Sequence, residues 1–370
     1  MNKGTRCYGI DLLRIVSIIG VSFLHVLGHG GILASANTIG RFSLVWMLEI
    51  LAYPAVNCFV LISGYVGFRE GKYYPKLKNI ISLFFTVVFY GTVLCLIFKA
   101  IHPELISKDH LIAALTPIKH KNYWFFTCYA GMFVLSPVIN AFVHKARGKH
   151  LLCLLLAITV CTFLSLEKDV FLLNGGYSVM WFVLLYLLGA TIKKYDLTAL
   201  FSAKLWVALG VIALLITCLF KIGGTFLSVP FLQENKENLV SYASPTVLLM
   251  AVAWLGAFSK LQRAEKAKKI ISFFATSAFS VYLIHDNIFV RNFVISKIHL
   301  FTDKLSAPLL AASVVALVLG IFLVCTLIDK AKIGLFSLIK IDLLAEKIEL
   351  FVKKLIAGAC EKIKSLKNKA

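Results

Sequence analysis

The first apolar stretch, Tyr8 to Leu27, constrains the chain most. From Ile10 to Leu27 it covers about 27 Å as a helix, close to the hydrocarbon thickness of a bilayer. It nevertheless carries Asp11, Arg14 and His25. Each ionisable group inside a spanning helix costs roughly 2.5–3.5 kcal/mol on insertion scales, so such groups point to function. Arg14 and His25 are eleven residues apart. That is about three helical turns, which puts both on nearly one face and about 16 Å apart along the axis. The plainer reading is that Asp11 pairs with Arg14 at i,i+3 or that Arg14 snorkels to headgroups, with His25 a packing histidine.

Similar stretches recur along the chain. Hydrophobic residues make up 59% of the 370 and charged residues 15%, with a mean hydropathy of +0.86. This excludes an ordinary soluble domain. The pattern predicts an all-α, polytopic transmembrane helix bundle of about ten spans, near 8–27, 44–66, 79–99, 123–143, 151–166, 176–192, 204–222, 240–258, 271–291 and 307–328. The first span is expected to be retained, because it is full length and more spans follow. Two units are expected: a transmembrane domain over 1–330 and a basic tail over 331–370. In the tail Ile341, Leu344, Ile348, Phe351, Leu355 and Ile363 recur at helical spacing, and Lys340, Lys347 and Lys354 lie at seven-residue steps. That reads as an amphipathic cytoplasmic helix against anionic lipid.

The net charge of +21 does not call for nucleic acid, because the basic residues sit between apolar runs. With the N-terminus inside, 27 of the 39 Lys and Arg residues fall on the inner side and 11 on the outer, Arg14 being within a span. Both termini are then cytoplasmic, and loops 100–122 and 223–239 are the longest outside. The inner clusters are Arg69, Lys72, Lys76 and Lys78, then Lys145, Arg147 and Lys149, then Lys260, Arg263, Lys266, Lys268 and Lys269. Nine cysteines form no C-x-x-C pair and read as small hydrophobes. No metal site is expected.

This orientation assigns depth. An outer group contains His25, Glu49, Tyr123, Trp124, Tyr282, His285 and Asp286, where aromatic planes beside hydrogen-bonding groups suit a sugar ring. Taken singly, the aromatics read as an interfacial belt. An inner group contains Arg14, Arg69, Lys72, Lys76 and Lys78, suited to donor phosphates; for the lysines the positive-inside rule is explanation enough.

Asp11-Leu12-Leu13-Arg14, ten residues, then His25 resembles the opening of the acyltransferase 3 family, integral membrane acyltransferases of which many acetylate cell-surface glycans. Four later stretches are similar to the same family: Asn57-Cys58-Phe59-Val60-Leu61-Ile62-Ser63-Gly64-Tyr65; Tyr123-Trp124-Phe125-Phe126 with Pro137; Gly176-Tyr177-Ser178-Val179-Met180-Trp181-Phe182; and Ser280-Val281-Tyr282-Leu283-Ile284-His285. The resemblance implies acyl transfer to a cell-surface or lipid-linked glycan, in the cytoplasmic membrane of a bacterium. The acyl donor is then cytoplasmic acyl-CoA, most simply acetyl-CoA, as a substrate rather than a permanently bound cofactor. A sugar hydroxyl needs a base, and imidazole, with an unperturbed pKa near 6.5, suits that role. His25 is the expected base, with Glu49 or Asp286 orienting it, and Arg14 the phosphate anchor; an acyl-histidine intermediate fits the same residues. The partners expected are membrane lipids, acyl-CoA and the glycan acceptor. P-loop, dinucleotide, G-x-S-x-G and H-E-x-x-H patterns are absent. The competing readings are a transporter or flippase of a lipid-linked sugar, and a membrane sensor without chemistry.

The basic asymmetry yields a topology test. In a cysteine-free background, single cysteines in loops 28–43, 100–122 and 223–239 are expected to react with an impermeant reagent in intact cells. Reaction of loop 100–122 only after permeabilisation overturns the orientation.

Overall fold

The computed structural model describes residues 6–367; the side chains of Arg263 and Ile363 lie outside the described residues. The described chain is helical, apart from an isolated bridge between Arg69 and Lys72. Its principal helices are α1 (Tyr8–Gly28), α2 (Ile39–Ala52), α3 (Pro54–Gly67), α4 (Leu77–Ile101), α5 (Trp124–Lys145), α6 (Gly148–Leu164), α7 (Val179–Lys194), α8 (Ala203–Cys218), α9 (Pro245–Ser259), α10 (Lys268–Ala275), α11 (Ala278–His285), α12 (Ile288–Phe293), α13 (Ala307–Leu338) and α14 (Ile341–Lys367).

Among the described residues, six helical stretches are long and apolar enough to cross a bilayer, or seven if the bent stretch from Lys268 to Thr302 counts as one. The expectation of ten is therefore met in part. The difference falls on α6, α7 and α9, with 17, 16 and 15 residues. At 1.5 Å per residue each covers only about 23–26 Å, short of a core of about 30 Å. The expected ninth span is broken: the axis turns by 59° between His285 and Ile288. Asn287 caps the new helix by accepting from the Phe289 amide at 3.1 Å, and the Asp286 amide closes the old one on the Tyr282 carbonyl. Irregular backbone at such depth is tolerated where protein encloses it, and Asp286 and Asn287 are both buried.

α1 is the hub. It packs on α2, α3, α9, α10, α11 and α13, and 12 of its 21 residues are buried. Only five of the 25 residues of α4 are buried, as expected of a helix facing lipid. Between apolar helices in lipid there is no hydrophobic drive, so close packing of small residues matters. α3 and α7 meet through reciprocal glycines. A Cβ on Gly64 would lie 2.1 Å from the Tyr186 carbonyl oxygen, and one on Gly189 would lie 2.2 Å from that of Leu61. Beside this seam Asn57 is fully buried. Its amide donates to the Tyr242 carbonyl at 2.8 Å and accepts from the Trp181 indole at 3.0 Å. Removing one partner of a buried pair costs about 1–3 kcal/mol, so this asparagine ties α3, α7 and the segment before α9 together.

α13 runs through residue 330 to Leu338. Its buried Asp329 accepts from the Tyr90 hydroxyl at 2.9 Å and pairs with Lys332 at 3.0 Å. A left-handed residue, Lys340 (φ 56°), then turns the chain into α14. The acidic side of α14 straps onto the start of α4: Lys78 pairs with Glu346 at 2.7 Å, and its backbone amide donates to Glu349 at 3.0 Å. Lys353 beside Glu349 holds that carboxyl below the usual carboxylate range. Phe351 and Leu355 of the expected apolar face stay exposed. The cysteines among the described residues are all free.

The glycine seam is testable in detergent. Gly64→Val is expected to lower stability by about 1–3 kcal/mol or more, since overpacking against backbone has no flexible atom to yield. An unchanged melting temperature would show that α3 and α7 do not depend on this approach.

Candidate active site

The two ends of α1 each face a cavity. At the end nearer the N-terminus, Asp11 is buried and Arg14 is part-exposed. Asp11 takes Arg14 on one carboxylate oxygen and Arg6 Nε on the other at 2.5 Å. Two guanidinium groups on one carboxylate leave a net positive charge. Arg6, Asp11 and Arg14 line a pocket of about 290 Å³ together with Ser63, Tyr129 and Thr276. The i,i+3 pairing that the sequence allows is therefore present, and it leaves Arg14 in a cavity wall.

At the other end His25 meets the break in the bent span. Its Nδ1 is 2.9 Å from His285 Nε2. His285 Nδ1 in turn lies 2.6 Å from the Val281 carbonyl oxygen. A carbonyl only accepts, so His285 Nδ1 carries the proton, and its Nε2, in the neutral ring, accepts. His25 must then donate from Nδ1, which leaves Nε2 of His25 unprotonated. The tautomers follow from the partners, as they must where hydrogens are unseen. This carbonyl–histidine–histidine line fixes both the orientation and the basic atom of His25.

Asp286 supplies charge beside it. Its Oδ1 is buried without a hydrogen bond among the described residues, yet lies 3.6 Å from His25 Nδ1, 3.8 Å from His29 Nε2 and 3.6 Å from Arg291 Nη1. One ligand atom each of His25, His29 and Asp286 falls within 4.8 Å of the others, close enough to hold a metal ion. The Arg291 guanidinium on the same oxygen, and the commitment of His25 Nδ1 to His285, favour a charge-paired carboxylate there instead. Tyr123 holds the break in place: its hydroxyl donates to the Leu283 carbonyl at 2.9 Å and accepts from Asn287 at 2.9 Å.

His25 lines a small cavity of about 30 Å³ with Trp124, Tyr242 and Tyr282. Among the described residues the buried Tyr282 hydroxyl has no partner at hydrogen-bond geometry. Beyond Trp124 lies a cluster of rings: Trp124 to Tyr177 4.4 Å, Tyr177 to Tyr242 5.1 Å, and Tyr53 to Tyr242 5.4 Å between centroids. The cavities at the two ends of α1 share Phe59, Phe125, Ala278 and Phe279 as common wall. Phe125 is 6.2 Å from Phe59 and 6.5 Å from Phe279, so these rings form a collar between Arg14 and His25.

Residues 8–330 match the family described as Acyl_transf_3, acyltransferase domain. The chain belongs to the acyltransferase 3 family. With its apolar helices this makes it a multi-pass membrane acyltransferase. No curated protein and no solved structure matches the chain.

Of the residues singled out in the sequence of this acyltransferase, His25, Trp124 and Tyr282 line one cavity, His285 and Asp286 stand against His25, and Tyr123 braces the break beside them. Among the described residues no hydrogen bond or ion pair joins Glu49 to His25: its carboxyl is buried with Oε2 unpartnered there, among Tyr53, Tyr177 and Tyr242. Arg69, Lys72 and Lys76 are exposed and do not line the Arg14 cavity, and Lys78 is engaged by α14. The sequence reading passed over Arg6, His29, Arg291 and Tyr242. His29, one turn beyond His25, carried a periodic signal; the others are brought in by loops and by the bend.

If the histidine line fixes the base, His285→Leu frees the His25 tautomer. Acyl transfer is then expected to fall by about 10–100-fold, the usual effect of losing an orienting partner, with an altered pH–rate profile. Unchanged rate and profile would show His285 to be packing only.

Proposed function

We propose that this acyltransferase moves an acetyl group from cytoplasmic acetyl-CoA to a hydroxyl of a cell-surface or lipid-linked glycan. The observation that carries the reading is the pair of cavities sharing one aromatic wall, with a net positive cluster in one and an oriented, unprotonated imidazole nitrogen in the other. The positive-inside asymmetry supports a cytoplasmic Arg14 end, and with it a donor that enters from that side.

In this reading Arg6 and Arg14 hold donor phosphates, guanidinium forks being suited to them. The pantetheine arm passes the collar of Phe59, Phe125 and Phe279, and the thioester arrives beside His25. A cavity of about 30 Å³ suits a two-carbon acyl group. The acceptor sugar lies on the faces of Trp124, Tyr177 and Tyr242. His25 Nε2 takes the proton as the hydroxyl oxygen bonds the acyl carbon. The carbon–sulfur bond breaks, and the thiolate leaves and recovers that proton. Asp286 lies beside the transient imidazolium, and the Tyr282 hydroxyl in the same cavity wall is a donor for the developing oxyanion.

Purified protein in nanodiscs with acetyl-CoA and a cell-envelope glycan extract is expected to release CoA only with acceptor present. His25→Gln keeps volume and a hydrogen bond but is no base near neutral pH, so it is expected to lose about 10²–10⁴-fold in turnover while still binding acetyl-CoA. Arg14→Lys keeps the charge without the fork and is expected to weaken donor binding. Near-normal turnover in His25→Gln would make the imidazole structural, and substrate movement without thioester consumption would favour a transporter.

A further inference from the structure

The ring cluster beyond the His25 cavity encloses a carboxyl that the reaction at His25 does not use. Glu49 stands on α2 one turn before Tyr53, whose backbone amide donates to the Glu49 carbonyl at 3.0 Å. The Tyr53 ring faces that of Tyr242 at 5.4 Å, and Tyr177 closes on Tyr242 at 5.1 Å. Tyr242 also belongs to the wall of the His25 cavity, as does Trp124. The same rings thus border both the Glu49 carboxyl and the reaction cavity. The cluster is open at Tyr177, which is 47% exposed.

Glu49 is only 6% exposed, and among the described residues its carboxyl makes no ion pair and its Oε2 has no hydrogen-bond partner. An ammonium does come to this side of α2, but it is spent elsewhere. Lys221, buried on a π-helical turn at Leu219–Gly223, pairs with Glu237 at 2.5 Å and lies 3.9 Å over the Trp46 ring. Trp46 precedes Glu49 by three residues and shares its face of the helix. A buried polar atom without a partner is rare in a native fold and bears its full desolvation penalty, so it marks a place where a donor is to be supplied.

The surroundings select that donor. Aromatic faces take the C–H face of a sugar ring, and a carboxyl at the edge takes its hydroxyls. A uronate or a phosphate would set a second anion against Glu49, with Lys221 already paired. A sugar ammonium would approach Lys221 and find Glu237 already taken. We propose that Glu49 is a specificity-determining residue for the acceptor: its carboxyl accepts hydrogen bonds from hydroxyls of an uncharged sugar lying on Tyr177 and Tyr242, while another hydroxyl of that sugar reaches His25. The proposal rests on the acyltransferase reading and adds the class of sugar acylated, one rich in hydroxyls and without a carboxylate, phosphate or free amine.

The full-length protein in nanodiscs, given radiolabelled acetyl-CoA and the cell-envelope glycan extract, tests the class directly once the labelled sugar is identified after mild hydrolysis. Label is expected on an uncharged sugar. Label on a uronic acid, a phosphorylated sugar or a free amino sugar overturns the proposal. Glu49→Gln keeps the side-chain volume and is expected to raise the KM for the extract about tenfold, as loss of a hydrogen bond to a charged group does, with kcat changed by less than about twofold. Acetyl-CoA binding is expected to be retained. An equal KM, or a loss confined to kcat or to thermal stability, makes the carboxyl structural and overturns the proposal. Retention of glycan by the nanodiscs, measured without acetyl-CoA, separates this assignment from the reaction. Retention that Glu49→Gln weakens about tenfold, with no acetyl transfer in the unchanged protein, sinks the acyltransferase reading and leaves Glu49 a sugar-binding residue. Transfer that proceeds with KM and retention untouched by Glu49→Gln does the reverse.

Discussion

Hydrocarbon does not solvate charge, and that constraint organises the molecule. Asp11, Arg14 and His25 stand on a helix that must sit in the bilayer, so each must find protein partners or a water-filled cavity. The chain meets this by making α1 the hub instead of a peripheral span. Six other helices wrap it, and its ionisable groups meet partners from both near and far in sequence. Asp11 gathers Arg6 and Arg14 locally, whereas His25 requires His285, 260 residues away. The second partnership sets the architecture. It obliges the bent span to end beside α1 and to break there, so that His285, Asp286 and Asn287 face inward with their backbone satisfied by Tyr123 and by the cap on the next helix.

Small residues and buried polar groups support that arrangement from the far side. α3 approaches α7 so closely that Gly64 faces the Tyr186 carbonyl and Gly189 that of Leu61 with no room for a Cβ, and the same seam carries Asn57 with Trp181 and Tyr242. Tyr242 thereby becomes a fixed surface instead of a mobile loop residue. One face of this support looks into the His25 cavity.

Much of this could be read from the chain because its signals are local. The 3.6-residue period placed Arg14 and His25 on one face of one helix, and the acyltransferase motifs are short and ordered along the sequence. The all-helical class follows from composition. What stayed hidden depended on distant contacts or on length at the margin. Fifteen to seventeen apolar residues read as a span in a hydropathy window, yet α6, α7 and α9 fall short of the core thickness. The bend after His285 has no proline to announce it; it rests on Asn287 as a cap and on a tyrosine more than 160 residues earlier. Glu49 shared a depth with His25 in the sequence reading, but depth does not fix azimuth, and the carboxyl faces tyrosines instead. Arg69, Lys72 and Lys76 were grouped with Arg14 by side of the membrane alone, and no packing brings them to its cavity.

The tautomer argument separates two roles that composition alone would merge. Two histidines at one depth are interchangeable candidates for a base until their partners are known. The Val281 carbonyl removes that symmetry. Because it can only accept, His285 must donate with Nδ1, and the direction of the second hydrogen bond follows without choice. His25 is left with its lone pair on the nitrogen that the chain does not occupy, next to a cavity too small for more than a few heavy atoms. His285 has no such nitrogen, since both of its ring positions are engaged. The same logic places Asp286 beside the donating nitrogen of His25 and not beside the free one. Of the two histidines only His25 keeps a ring nitrogen outside this hydrogen-bonded line, and one carbonyl on α11 is enough to set that difference.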